Sequence, residues 1–279
     1  MNFYFLLARR TPDVPSRIII DASAILRGRG HRVTCSIPEE ELSSLHGLEP
    51  DHDLYLLKSY TELSLSLAGA LSARGASLIN PYEGCAAARN KIVCYQVLKE
   101  AGIPVPRSWT TSNPGLLREL VQQCPIILKP YMGWRGEGIR IVRHERELES
   151  LAPFTSPVLI QEYIENDGHD LRLYVAGEEV FGIRKSFSST SYAVDGEPVV
   201  VSPEIRDLAL RCGRAFGLKL YGLDIIEGAD GPSVVDVNYF PGYKGVPGAA
   251  AAVAECIEQH ASSLREAAQP ANQLLEVTR

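Results

Sequence analysis

The sequence predicts a mixed fold: an N-terminal α/β unit with a parallel sheet, followed by a longer α+β unit with antiparallel strands. Over the first 80 residues, short apolar runs alternate with amphipathic segments, a pattern typical of a parallel sheet covered by helices. Beyond residue 105, neighbouring apolar runs are joined by short glycine-containing turns, which favour hairpins. The length of 279 residues, at about 150 residues per domain, also suggests two units.

The elements of the first unit are predicted in the order expected of a parallel sheet. Strands are expected at residues 2–8, 32–37, 53–58 and 77–80, and helices at 16–27 and 62–74. Glycines follow both helices, as residues that end helices often do. A single long helix is expected from Cys85 to Glu100. The predicted domains are residues 1–83 and 84–270, with a C-terminal tail at 271–279.

The second unit is predicted to consist mainly of strands joined in antiparallel pairs. Strands are expected near residue 108 and at 126–129, 138–142, 158–164, 171–175, 179–185, 221–226 and 233–238. Helices are expected at 114–123, 145–151, 203–216 and 248–268. The last of these is amphipathic, so one of its faces is expected to pack against the rest of the protein.

Composition argues against several classes of protein. The net charge is −6, from 28 basic and 34 acidic residues, whereas general nucleic-acid-binding proteins are usually basic. No run reaches the roughly 18 apolar residues that span a membrane. The six cysteines are scattered without zinc-ligand spacing and are interpreted as reduced residues of a cytoplasmic protein. HExxH and GxSxG motifs are absent, which removes support for a zinc protease or a serine hydrolase.

The last hairpin of the chain, with EGADGP at its tip, is predicted to bring two carboxylates together. Pairing Ile225 with Val235 places Asp224 opposite Asp236, with Cβ atoms about 4.5–5.5 Å apart. Such carboxylates repel each other unless a cation lies between them. Asn238 shares the face of Asp236 because side chains alternate along a strand, and three oxygen donors suit Mg²⁺. The alternative is that Asp236 and Asn238 form the solvated side of an ordinary strand.

A glycine-rich loop, GWRGEG, follows a strand that ends in Lys129. Its glycines Gly133, Gly136 and Gly138 would let backbone N–H groups approach an anion, although the loop fits neither a P-loop nor a dinucleotide fingerprint. The alternative is a flexible hairpin tip. Lys129 is predicted to reach the mouth of a cleft, whereas Lys91, on the long helix, is equally explained as a solvated surface lysine.

Two further groups of polar residues are candidates. Gln161-Glu162-Tyr163-Ile164 ends an apolar strand, where backbone groups would read an adenine edge and Asp170 would bind a ribose hydroxyl. Basic residues recur on the next two strands at Arg172, Arg184 and Lys185, and arginine is suited to bidentate binding of phosphate or carboxylate. For both groups the alternative is a set of solvated polar residues.

In their order along the chain, these motifs resemble the ATP-grasp superfamily. The resemblance covers nearly the whole chain and implies an ATP-grasp fold with an N-terminal pre-ATP-grasp domain. NPYEGCAAARNKIVCYQVLKEAGIPVPRSW and IQEYIENDGHDLRLYVAGEEVFGIRKSF are most similar to the RimK-type carboxylate–amine ligases, which add amino acids such as glutamate. VVDVNYFPGYKGVPG is more similar to the inositol-trisphosphate kinases, which share the fold. The chain departs from the RimK-like pattern at Tyr239-Phe240 and from the kinase pattern at Asp167-Gly168-His169.

The resemblance implies how ATP is bound. Lys91 and Lys129 contact the α- and β-phosphates, and the glycine hairpin Gly133–Gly138 closes over the triphosphate. The segment Gln161, Glu162, Tyr163 and Ile164 borders the adenine, with Glu162 and Ile164 offering backbone groups, and Asp170 binds the ribose. Asp224, Asp236 and Asn238 hold Mg²⁺, with Mn²⁺ as a second candidate.

The resemblance also implies how the other substrates are held. Arg172 and Arg184 steady the transferred phosphoryl group and the acceptor carboxylate. The acceptor is bordered by Lys185 and by the loop that contains Gly242, Tyr243 and Lys244.

Three functions are weighed on this basis. The first is an ATP-dependent ligase that joins a small-molecule or peptide carboxylate to an amine through an acyl phosphate. The second is a kinase of an inositol phosphate or a similar polyol phosphate, and the third is a non-catalytic nucleotide-binding module. The resemblance favours the ligase, and it implies a homo-oligomer as one possible assembly. No nucleic-acid or membrane partner is expected.

Overall fold

A computed structural model describes residues 1–10, 16–133, 136–166, 168–186 and 196–276. It contains one parallel sheet of four strands and two antiparallel sheets, of four and five strands. The predicted fold class, with a parallel sheet at the N-terminus and antiparallel sheets after it, is therefore confirmed. Within the described residues, no helix has both the length and the apolar character needed to cross a bilayer.

The N-terminal sheet is parallel and covered by helices on its faces. Its strands are β1 (Asn2–Leu7), β2 (Arg32–Ser36), β3 (Leu54–Lys58) and β4 (Leu78–Ile79), in the spatial order β2-β1-β3-β4. The helices are α1 (Arg17–Gly28) and α2 (Glu62–Ala73). Phe3, Phe5, Leu54 and Leu56 are fully buried, because the central strands of such a sheet are covered on both sides.

The single long helix predicted before residue 100 is wrong. The structure has two helices, α3 (Tyr82–Arg89) and α4 (Lys91–Glu100), separated by Asn90. The Asn90 side-chain oxygen accepts hydrogen bonds from the N–H groups of Ile92 (3.1 Å) and Val93 (3.3 Å). Asparagine is a favoured N-cap because it satisfies these otherwise unpaired donors. Lys91 therefore begins a helix instead of lying in the middle of one.

The small antiparallel sheet follows α4. Its strands are β5 (Ser108–Thr111), β6 (Ile126–Pro130), β7 (Arg140–Val142) and β8 (Val158–Glu162), in the order β5-β8-β6-β7. A 3₁₀ turn at Pro114–Leu117 leads into α5 (Arg118–Gln123), and α6 (Glu145–Leu148) follows β7. Ile126, Leu128 and Ile160 belong to a separate core between these helices and the sheet.

The large antiparallel sheet forms the centre of the molecule. Its strands are β9 (His169–Ala176), β10 (Glu179–Ser186), β11 (Glu197–Val199), β12 (Leu220–Gly228) and β13 (Gly231–Tyr239), in the order β11-β10-β9-β12-β13. Its helices are α7 (Pro203–Phe216) and α8 (Ala249–Glu276). The sequence did not predict β11, because an edge strand of three residues that contains a proline gives little periodic signal.

The carboxyl ends of two N-terminal strands are bonded directly to the large sheet. Asn80, which follows β4, donates to Leu220 O (2.6 Å) and accepts from the N–H groups of Lys219 (2.8 Å) and Leu220 (2.9 Å). Ser59, which follows β3, accepts a hydrogen bond from the Tyr239 hydroxyl (2.8 Å). These two joints place the carboxyl edge of the parallel sheet against the start of β12 and the end of β13.

Candidate active site

Asp224 on β12 and Asp236 on β13 are directly opposite each other, as predicted. The predicted pairing of Ile225 with Val235 is wrong, because Ile225 pairs with Val234 and the register shifts just after Asp224. The turn is tighter than expected, and Val235 is the extra residue of a β-bulge. A bulged residue is left out of the ladder, and the carbonyl oxygen of Val235 accepts a hydrogen bond from Lys129 Nζ (3.1 Å).

The same face of the sheet carries charges on the next strands. Arg172 on β9 is the register partner of Asp224, and its Nε lies 3.7 Å from Asp224 Oδ1. Arg172 also donates to Asp170 Oδ2 (2.9 Å), while Asp170 Oδ1 is buried without a hydrogen-bond partner among the described residues. Lys185 on β10 is the register partner of Asp170 and is 5% exposed. Five predicted site residues therefore share one face.

Lys91 reaches this face from the start of α4. Its Nζ donates to Asp236 Oδ1 at 2.5 Å, and its side chain is 13% exposed. Burial opposes the charge, but Asp236 raises the pKa of Lys91 above its ordinary value. The interpretation of Lys91 as a solvated surface lysine is therefore wrong, and the reason is the helix break at Asn90, which turns the first residue of α4 toward β13.

Lys129 approaches the same carboxylates from the small sheet. It is 7% exposed, and burial lowers its pKa to about 8, with Asp236 opposing and Lys91 adding to the shift. Two lysines from different elements thus converge on one strand, Lys91 on the Asp236 side chain and Lys129 on the backbone beside it.

The acidic pair fits a divalent cation. Burial raises the pKa of Asp224 to about 6, with Arg172 opposing and Asp236 adding to the shift. Asn238 Nδ2 lies 3.4 Å from Asp236 Oδ2. The amide of Asn238 is therefore next to the Asp236 carboxylate, which in turn lies opposite Asp224. The described residues contain no group of three or more His, Cys, Asp or Glu side chains placed to bind a metal. A cation here would therefore take its remaining oxygen ligands from water or from substrate phosphates, as Mg²⁺ commonly does.

Arg184 does not lie with these residues. It is the register partner of Leu171, not of Arg172, so it projects from the opposite face of the sheet. Its guanidinium bonds Glu227 (3.1 Å), and both side chains are about half exposed. Arg172 and Arg184 were predicted to steady the transferred phosphoryl group and the acceptor carboxylate together, but the structure places them on opposite faces of the sheet. Lys185, one residue later, is the basic side chain that β10 contributes to the acidic face.

The predicted adenine segment lies at the end of β8. Gln161 is 3% exposed and donates to the Ser108 hydroxyl (3.1 Å). The Glu162 carboxylate is held by both ends of the Arg107 guanidinium (2.8 and 3.1 Å), and the Arg143 guanidinium lies 4.7 Å from the centre of the Tyr163 ring.

Sequence reasoning missed these two arginines, because they come from outside β8. Their placement against β8 follows from the folding of the small sheet. No local motif marks either position.

The glycine loop joins β6 to β7. Gly133 donates its N–H to Pro130 O (3.0 Å), and Gly136 and Gly138 have φ of +76° and +74°. Residues that carry a side chain rarely adopt such positive φ angles. The backbone conformation is therefore enough to explain why both positions are glycine, whether or not they also contact a ligand. Trp134 and Arg135, within the loop, and Asp167, within the departure from the kinase pattern, lie outside the described residues.

The loop after β13 has mixed exposure. Gly242 and Lys244 are exposed. Tyr243 is 3% exposed, and its hydroxyl donates to Val175 O (2.5 Å). Tyr243 packs beside Tyr174 in the core that contains α8, so the predicted substrate contact by its side chain is not supported by its position.

Residues 88–256 match the model of the RimK-like ATP-grasp domain family, which is more than half of the chain. A probable alpha-L-glutamate ligase of Shewanella denitrificans is 29% identical over 211 residues, which cover 68% of this chain and 72% of that protein.

Solved structures show the same fold. A RimK-domain ATP-grasp protein from Sphaerobacter thermophilus superposes with a TM-score of 0.71 at 21% identity and covers 92% of this chain and 99% of its own. The ATP-grasp ligase PsnB, in a complex with a phosphomimetic variant of its minimal precursor, Mg and ADP, gives a TM-score of 0.67 at 22% identity and covers 92% and 97% of the two chains. The predicted ATP-grasp fold is thereby confirmed.

Proposed function

Because the chain belongs to the RimK-like ATP-grasp domain family and is an ATP-dependent carboxylate–amine ligase, we propose that it forms an amide bond through an acyl phosphate. In this proposal an amino acid is joined to a small-molecule or peptide acceptor. The observation that supports it most strongly is the convergence on one face of opposed carboxylates, Asp224 and Asp236, with Lys91 and Lys129. Phosphoryl transfer requires positioning and charge neutralisation more than covalent participation of the protein, and this face supplies charges of both signs.

Mg²⁺ is the cation we propose for Asp224, Asp236 and Asn238, with Mn²⁺ as a second candidate. When bound, the ion would neutralise charge on the ATP phosphates during transfer. The Mg and ADP in the PsnB complex support this choice. The two carboxylates and the amide provide hard oxygen donors, and the repulsion between the carboxylates would be relieved.

The lysines and glycines are proposed to hold the triphosphate. Lys91 and Lys129 would bind the α- and β-phosphates, with Lys91 moving from Asp236 to a phosphate oxygen as the nucleotide enters. The loop with Gly133, Gly136 and Gly138 would close over the phosphates. Closure excludes water, which is needed because an acyl phosphate hydrolyses readily.

The adenosine end is proposed to lie along the end of β8. Glu162 and Tyr163 already donate their N–H groups to Arg107 O and Pro125 O (2.9 Å each), so a Glu162 contact to adenine would use its C=O, and the donor would be the N–H of Ile164. Gln161 and Tyr163 would shape the surrounding pocket. The unpartnered Asp170 Oδ1 would accept a ribose hydroxyl hydrogen.

The reaction is proposed to occur in two steps. A substrate carboxylate oxygen attacks the γ-phosphorus, the bond to the bridging oxygen breaks, and ADP leaves. The amine nitrogen then attacks the acyl carbon, the carbon–oxygen bond to phosphate breaks, and the nitrogen loses a proton. Arg172 and Lys185 would stabilise the negative charge on the transferred group, and the loop with Gly242 and Lys244 would border the acceptor.

The similarity to a probable alpha-L-glutamate ligase makes glutamate the first amino acid to test. The protein is incubated with Mg-ATP and a panel of amino acids, peptides and amines, and the products are weighed by mass spectrometry. Amide condensation with equimolar ADP and phosphate supports the ligase. A phosphorylated organic product, with inositol phosphates included in the panel, would instead support a kinase. Glu197→Gln, on the edge strand β11, is the matched control for Asp236→Asn, which should abolish either product.

A further inference from the structure

A second cluster of positive charge lies at the carboxyl edge of the N-terminal sheet. Lys58 is the last residue of β3, and its register partner on β1 is Leu7. The chain leaves β1 at this edge and reaches Arg10 three residues later. In open α/β sheets, ligands bind outside the carboxyl ends of the strands. The two cations therefore occupy the edge where a ligand is expected, and none of the nucleotide contacts proposed above uses them.

Lys58 lies at the end of the strand that carries Asp236 and Asn238. Its Nζ is 5.6 Å from the centre of the Phe240 ring, and Phe240 directly follows β13. The residue after Lys58, Ser59, accepts the hydrogen bond from Tyr239, the last residue of β13. The Lys58 side chain is therefore held at the end of β13, and Asn238 is two residues before Phe240 on the same chain segment.

The charge of Lys58 is not balanced by a carboxylate of any residue that the structure describes. Among the described residues, no carboxylate oxygen lies within 4.0 Å of its Nζ. Burial lowers its pKa to about 8, and Arg10 adds to the shift. Lys91, by contrast, has a carboxylate partner in Asp236. Partly buried charges are normally paired, so the missing partner of Lys58 is expected to be an anion that the protein binds.

We propose that Lys58 and Arg10 bind a carboxylate group of the substrate that takes no part in bond formation. This inference rests on the proposed ligase function and specifies its substrate class. The molecule in this position carries a carboxylate that remains free in the product, as a dicarboxylic amino acid does. Its reacting group then lies toward Asn238 and Asp236, and its second carboxylate lies against Lys58.

The test measures binding without turnover. Wild-type protein and variants, saturated with Mg-ADP, are titrated calorimetrically with L-glutamate, with its α-amide and with L-glutamine. Lys58→Met removes a charge-assisted hydrogen bond to the carboxylate and is expected to weaken L-glutamate binding at least about 10-fold. Arg10→Met is expected to act in the same direction. One of the two amides lacks the carboxylate that Lys58 binds. It should bind wild type about as weakly as L-glutamate binds Lys58→Met, and Lys58→Met should bind it with the same affinity as wild type does.

Two controls separate charge recognition from damage to the fold. Lys58→Arg keeps the charge and should bind L-glutamate within about 3-fold of wild type. Lys99→Met removes an exposed lysine of α4 and should change nothing, and all variants should bind Mg-ADP normally. Equal affinity of wild type and Lys58→Met for every probe, or no binding of any acid by wild type, overturns the inference. Failure of the ligase proposal is recognised separately, by the absence of any amide product in the turnover panel.

Discussion

Asp224 and Asp236 lie opposite each other because β13 carries one residue more than β12 between the hairpin turn and this pair. Gly228 pairs with Gly231, so Asp236 is five residues from the turn and Asp224 only four. Without the shift, Val235 would face Asp224, and Asp236 would point to the other side of the sheet. The bulge thus places the second carboxylate and also frees the carbonyl group that binds Lys129.

Replacing one of the opposed carboxylates should separate activity from stability. Asp224→Asn is expected to lower ATP turnover about 10²–10³-fold, because an electrostatic contact to the reacting phosphates is lost. Without Mg²⁺ and nucleotide, the same variant should melt about 2 °C higher at pH 8, since the cost of burying the Asp224 charge and its repulsion from Asp236 are removed, and together these outweigh its lost attraction to Arg172. Calorimetry and a coupled ADP assay give the two values. A variant that is less stable and fully active would contradict this account of the pair.

Two adjacent basic residues of β10 should differ sharply in their effect. Lys185→Met is expected to reduce turnover by about 10²-fold, because its side chain shares the face of Asp170 and Arg172. Arg184→Met should leave turnover within about 3-fold of wild type, since its side chain projects from the opposite face of the sheet and its exposed pair with Glu227 contributes little. Steady-state kinetics with ATP as the varied substrate compares them. Equal losses of turnover in the two variants would mean that the face from which a side chain projects does not decide whether it takes part in the reaction.

Asn80 should contribute strongly to stability. Asn80→Ala leaves the buried N–H group of Leu220 and the partly buried N–H group of Lys219 without the partner they have now, and each orphaned group costs about 1–3 kcal/mol. The C=O group of Leu220 loses one bond but keeps the one from the Phe240 N–H group (2.6 Å). The free energy of unfolding, measured in urea, is expected to fall by about 3 kcal/mol. Asn113→Ala, which removes an exposed cap on Gly115 N (2.9 Å), should cost only about 1 kcal/mol. Similar losses in the two variants would refute the importance of the buried joint.

Asp53 should make the free energy of unfolding depend on pH in the acidic range. Burial raises its pKa, but hydrogen bonds from Arg265 and from the Asn2 N–H outweigh burial and lower the pKa below its usual 3.8. A lowered carboxyl pKa stabilises the fold above the unfolded value, and this stabilisation is lost as pH falls through the folded value. Asp53→Asn should therefore cost about 1 kcal/mol at pH 7, and this cost should shrink as the pH falls below 3.8 and disappear once the carboxyl group is protonated in the folded protein.

The pH experiment needs a matched carboxylate. Asp21→Asn removes an exposed aspartate of α1 whose contact to Arg17 spans 3.5 Å, and such pairs contribute little. Its unfolding free energy should follow that of wild type at every pH. If the free energies of unfolding of wild type and Asp53→Asn do not approach each other as the pH falls, the ionised carboxylate is not what stabilises the contacts of Asp53 with Asn2 and Arg265.

The sequence predicted most of the strands because burial imposes a periodic pattern on them. It also predicted the opposition of Asp224 and Asp236, although by a pairing with two errors that cancel, a turn placed too late and a missing bulge. Neither error leaves a signal in the local sequence, since a bulge is fixed by packing across the sheet.

The errors at the site have physical causes of the same kind. Asn90 was overlooked as a cap because the apolar periodicity continues through it, and this misplaced Lys91. Arg184 and Lys185 were both taken as site residues, yet adjacent residues of a strand face opposite ways. Lys58, from a different sheet, could not be connected with Phe240 before the fold was known.

The bonds from Asn80 and Ser59 to the large sheet constrain how the molecule opens. They fasten the parallel sheet to the strands that carry the acidic pair, so we expect these two sheets to move together. We then expect a nucleotide to enter and leave by an outward movement of the small sheet, which carries Lys129. That movement would break the hydrogen bond from Lys129 Nζ to Val235 O, so this bond would help to hold the small sheet against the large one.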